Sequence, residues 1–136
     1  HQEMKKKYPS KAKTWDVWGD YADLMLQYLR EFVDLMGYHV VFTSLEEIET
    51  DDMNRRYAKP FFKGKEISKW VDSLFDEIFY MTLYQDPKSG KKVRVLFTDV
   101  SDVYPGKDHS GKLNIMERPN LLYIKNKIFG IQGLQN

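Results

Sequence analysis

From Tyr21 the apolar residues fall at Leu24, Met25, Tyr28, Leu29, Phe32, Leu35 and Met36, with Asp23, Gln27, Arg30, Glu31 and Asp34 on the other positions. That spacing is one face of a helix. Asp20, with Asp23 three residues on, predicts the N-cap. Gly37 predicts a left-handed stop. Leu26 and Val33 widen the stripe beyond that of a surface helix, so this helix is expected to lie across a sheet. Residues 38–45, Y-H-V-V-F-T-S-L, are apolar and β-branched on consecutive rather than alternate positions. Such a run predicts a strand buried on both faces, the kind parallel sheets use. Helix, glycine, buried strand is half of an α/β crossover.

The following stretch, up to Lys65, is charged and is expected to be a loop. A short helix is predicted over 67–75 and a strand over 77–85. The turn D-P-K-S-G-K-K joins that strand to a second one over 93–100, giving a hairpin. Residues 100–118 read as a long loop, and 120–131 as a helix capped by Asn120 or Pro119. The fold class predicted is α/β, with one buried parallel strand, a C-terminal β-hairpin and flanking helices. Residues 1–14 are a basic lead-in and 15–136 a single α/β domain. A central-type strand over 38–45 would leave an open sheet edge, which is an aggregation liability. The sequence is therefore expected to be part of a larger sheet, completed by a segment upstream in the same gene or by a partner.

Composition narrows the chemistry. With 42% apolar residues in 136 there is enough to bury a core. The absence of cysteine excludes disulfide scaffolds, thiolate zinc sites and thiol nucleophiles. His1, His39 and His109 show no metal-ligand spacing. No run approaches a membrane span, and the basic start lacks the apolar stretch of a signal peptide, so a soluble cytoplasmic protein without a membrane partner is expected. The net charge of +1 hides an asymmetry: residues 46–52 carry five acids, and residues 53–69 carry six bases against Glu66 alone. The basic half is interleaved with Tyr57, Phe61 and Phe62, which supplies cations for phosphate and rings for stacking on single-stranded nucleic acid. A solvated loop is the alternative reading of the same charges. Glu46 and Glu47 do not make an acid/base pair, because neighbours on a strand point to opposite faces.

Residues 105–113, P-G-K-D-H-S-G-K-L, match the first seven positions of the phosphate-cradling G-x-x-x-x-G-K-[ST] loop and fail at the last. Leu113 has no hydroxyl for Mg²⁺. Pro119 also leaves no room for the long helix that should follow. Glycine and lysine are expected to serve another purpose here, with a working phosphate loop the less favoured alternative.

Five segments carry a resemblance. They are W-G-D-Y-A-D-L-x-L-Q-Y-L-R-E-F at 18–32, V-V-F-T-x-L-E-E-I-E-T-D-D at 40–52, S-L-F-D-E-I-F-Y-M at 73–81, Y-P-G-K-D-x-S-G-K-L at 104–113 and E-x-P-N-L at 117–121. In this order they resemble the C-terminal half of phage-encoded RecA-like ATPases, P-loop ATP-binding proteins linked to phage recombination and single-strand annealing. The resemblance runs from Trp15 to about Lys127. It implies a partial RecA-like P-loop NTPase sheet, with ATP and Mg as cofactors and the phosphate loop and magnesium-binding acid lying upstream of these residues. Thr43 and Ser44 then fall where a strand end presents a polar sensor to the γ-phosphate. Arg55, Arg56 and Lys59 fall where RecA-like proteins carry a DNA-contacting loop. The K-D-x-S-G stretch is similar to a K-N-R-F-G type finger that reaches into a neighbouring subunit's nucleotide site. Lys107 matches the finger lysine, while His109 stands where the arginine is usual. An imidazole of ordinary pKa, about 6.5, is mostly neutral at pH 7.

Two functional classes follow. One is an ATPase module for DNA recombination or annealing, contributing finger, sensor and DNA loop, with single-stranded DNA and neighbouring subunits of a homo-oligomer, or a missing N-terminal half, as partners in the host cytoplasm. The other is a non-catalytic split-gene remnant that binds DNA or a partner through its open sheet edge.

Overall fold

The computed structural model describes residues 14–63, 67, 70–99, 101 and 103–131. The lead-in through Lys13 lies outside them. The chain forms two compact units, one of residues 1–45 with 60–75 and the other of 46–59 with 76–136.

In the first unit, α1 spans Thr14–Val33. It starts well before Asp20, because no breaker stands in T-W-D-V-W-G, and Trp18 packs edge-on against Tyr21 at 5.9 Å. Its buried residues Ala22 and Leu29 meet Ile67 and Val71, with Tyr21, Met25, Leu26, Phe62, Leu74 and Phe75 around them. The wide apolar stripe thus packs on Phe62, Ile67, Val71, Leu74 and Phe75; within the predicted 67–75 helix, Ile67 and Trp70 are α-helical and Val71–Leu74 form a 3₁₀ turn. α1 ends at Val33 rather than at Gly37, although Gly37 does take a left-handed φ of 81°.

The strand predicted over 38–45 is not formed. Among the described residues none pairs with it, and Val41 and Leu45 are 59% and 78% exposed. A strand of this kind is stable only between neighbours that take up its backbone groups. Here Phe42 instead turns edge-on to Phe32 at 5.8 Å and to Phe75 at 5.4 Å, and the Leu45 carbonyl accepts the Phe61 N–H.

The second unit holds the short strands. β1 (Glu46–Thr50) and β2 (Arg56–Pro60) form a hairpin where a loop was expected. The predicted strand over 77–85 divides at Phe79. β3 (Glu77–Ile78) pairs with β6 (Lys107–Asp108), while β4 (Tyr80–Gln85) pairs with β5 (Lys92–Phe97). The β4–β5 hairpin was predicted, and its turn is built as the sequence suggests: the Asp86 carboxylate accepts the N–H groups of Lys88 and Ser89, and Gly90 takes a φ of 68°.

β7 (Met116–Glu117) adds to β5 with Leu96 opposite Glu117. The helix α2 (Leu121–Phe129) follows, capped by the Asn120 side chain, which accepts the Tyr123 N–H. It closes at Gly130, which takes a left-handed φ of 67°, with the Gly130 and Ile131 N–H groups both on the Asn126 carbonyl. Glu117 is buried, takes the Lys127 ammonium and accepts the Asn114 N–H at 2.8 Å. The E-x-P-N-L segment therefore has a structural purpose: Glu117 ties β7 to α2, and Asn120 starts the helix.

Candidate functional site

The loop over 105–113 is organised by one carboxylate. Asp108 Oδ1 accepts the Ser110 hydroxyl at 2.5 Å and the Gly111 N–H at 3.0 Å, and Oδ2 accepts the Leu113 N–H at 2.9 Å. The Ser110 hydroxyl oxygen accepts the Lys112 N–H at 3.2 Å. Glu77 Oε1 accepts the Ser110 N–H at 3.3 Å, and the Asp76 carbonyl accepts that of His109 at 3.1 Å. Every backbone N–H from 109 to 113 thus has an acceptor inside the protein. A phosphate cradle needs those groups pointing at the ligand, so this loop is not one.

Its glycines and second lysine have other reasons. A Cβ on Gly106 would lie 2.4 Å from the backbone carbon and oxygen of Asp99, so only glycine fits. Gly111 takes a φ of 65°. Lys112 Nζ donates to the Ile128 carbonyl at 2.6 Å, at the negative end of α2. Lys107 lies half-buried on β6 opposite Ile78, and His109 is exposed just beyond it.

The carboxylates are tuned in opposite directions. Burial, then the charge of Asp108, pushes Glu77 up to about 7. Burial also works to raise Asp108, but the hydrogen bonds from Ser110, Leu113 and Gly111 outweigh it and hold Asp108 below its ordinary value. Glu77 Oε2 is buried without a hydrogen-bond donor.

At the tip of the first hairpin, Asp51 Oδ1 accepts the N–H groups of Met53 and Arg55, at 2.9 and 2.8 Å. Its Oδ2 takes the Arg55 guanidinium at 2.8 Å, and Asn54 supplies a left-handed φ of 65°. Arg56 is exposed. Lys59 is turned inward on Glu49 and Glu47, and Tyr57 donates to Glu49 at 2.8 Å. Of the three basic residues, Arg55 and Arg56 stand at the hairpin end and Lys59 is engaged in an ion-pair network. Glu46 receives the Tyr80 hydroxyl at 2.5 Å, a bond that pushes the Tyr80 phenol up to about 12. Thr43 and Ser44 are exposed in the strandless segment of the first unit.

The comparison with protein families matches residues 1–110 to an AAA domain. The chain belongs to that family of P-loop, AAA-type ATPase domains, a nucleotide-binding class that as a rule works with Mg²⁺. No curated protein and no solved structure matches the chain. Among the described residues no three His, Asp or Glu side chains converge to hold a metal ion, and the loop donors are taken. The 105–113 loop therefore does not fit a magnesium–nucleotide cradle. No described helix is long and apolar enough to cross a membrane.

Proposed function

We propose that the chain is the C-terminal part of a phage-encoded RecA-like ATP-binding protein that acts in DNA recombination or single-strand annealing. In this reading a separate segment supplies the phosphate loop and the magnesium-binding acid, and residues 38–45 become a buried parallel strand once that sheet is present. Lys107, with His109, reaches in trans toward a neighbour's ATP. A cation there would meet charge developing on the γ-phosphate. Thr43 and Ser44 act as the sensor, and the hairpin carrying Arg55, Arg56 and Lys59 contacts single-stranded DNA. Homo-oligomeric neighbours or the missing N-terminal half are the partners.

The observation that carries the reading is the loop itself. Its donors are consumed internally, which suits it to present a side chain and not to wrap a phosphate. The exposed apolar run over 38–45 supports the missing sheet. The test adds back a segment carrying G-x-x-x-x-G-K-[ST] and a strand ending in Asp, then measures Mg-ATP hydrolysis. Hydrolysis should return, and Lys107→Ala should reduce it by roughly 10³-fold or more. No hydrolysis under any complementation would leave the non-catalytic remnant as the function.

A further inference from the structure

We infer that Glu77 and Asp108 share one proton across the β3–β6 pair, and that this proton clamps the 107–113 loop, so that the loop loosens when the proton leaves. The two residues are directly opposite in the register. Asp108 accepts three hydrogen bonds, the environment of an ionised carboxylate. Glu77 takes the Ser110 N–H on Oε1, while its Oε2 is buried with no donor. A buried carboxylate oxygen without a donor is costly if charged, and the cost vanishes if it carries the proton itself. With Asp108 opposite, that proton has an acceptor. Two carboxylates this close do not both ionise readily.

The neighbouring charges point the same way. Asp76 adds a further negative charge beside Glu77. On the facing strand Lys107 lies opposite Ile78, and His109 meets Asp76 through its backbone N–H. Removing the proton sets Glu77 against Asp108, and both hold the loop: Glu77 through the Ser110 N–H, Asp108 through Ser110, Gly111 and Leu113. The inference concerns the loop's order and stands whether or not Lys107 acts as a finger.

The experiment follows the side-chain carboxyl carbons of the 136-residue chain by NMR between pH 5 and 9, together with amide exchange at Ser110, Gly111 and Leu113 corrected for intrinsic rate. One carboxyl should titrate near 7 and be missing in Glu77→Gln. Protection of the three amides should fall about tenfold across that titration, the factor of one pKa unit. In Glu77→Gln, whose amide keeps a donor toward Asp108, protection should not vary with pH. In Asp108→Asn, Glu77 should titrate closer to its ordinary value. Titration of Glu77 below about 5 in the unsubstituted chain, or equal protection at both ends of the range, would overturn the inference. Both overturning outcomes are read in the unsubstituted chain, so they do not depend on a variant folding.

Discussion

Gly106 shows how a motif can be conspicuous for the wrong reason. Glycine in a lysine-rich loop suggests phosphate, yet here it is the Asp99 backbone that occupies the space of a Cβ, at 2.4 Å. Backbone cannot swing aside as a long side chain can. Gly106→Ala should therefore destabilise the second unit by about 2–3 kcal/mol, the range of overpacking, as read from urea unfolding. A stability change within the noise of that experiment would mean that the Asp99 segment yields. Glu77 and Asp108 were missed in the sequence for a related reason. The D-x-S-G spacing does signal a carboxylate turning back on its own loop, which could have identified Asp108. Glu77 has no local signal, because its role depends on a register set across thirty-odd residues.

Among the elements, those built from local rules were legible. The β4–β5 hairpin with its Asp86 turn and the helix started by Asn120 are where the sequence puts them. Elements that depend on distant partners were not. The 38–45 run reads as a strand on its side chains alone, but among the described residues no strand pairs with it. The β1–β2 hairpin was hidden by its charges, since its inward positions are Glu47 and Glu49, which Lys59 and Tyr57 satisfy from across. Hydrophobic alternation cannot report a strand whose covered face is polar. At its tip Asp51 binds Arg55 and leaves Arg56 exposed. If the hairpin binds single-stranded DNA, Arg55→Ala/Arg56→Ala should abolish salt-sensitive binding. Fluorescence anisotropy at two salt concentrations measures this, and unchanged binding would remove the hairpin from the proposal.

On the scale of the molecule, it is the second unit that carries a predicted response to pH. The paired carboxyl groups described above all belong to the second unit. Glu77 is raised from 4.5 to about 7, so the native state binds more protons than the unfolded one between those values. Its contribution is present below the unfolded value and lost as pH rises through about 7. Asp51, Asp86 and Asp108 are lowered, Asp51 first by the Arg55 backbone bond and Asp86 first by Ser89. Their contribution is present above the ordinary value and lost as pH falls through their depressed values. The melting temperature of the second unit should fall by roughly 5 °C between pH 5 and 8. Calorimetry checks the sign, and a rise over that range would contradict it.

The ties on the 105–113 loop also bear on where the domain can be cut. The family match stops at residue 110. Asp108, however, is filled by N–H groups at 111 and 113, and Lys112 is anchored on Ile128. A chain shortened to the matched region would keep the carboxylate and discard two of its three donors. The smallest piece that retains this loop intact must run through α2 to its closing Gly130.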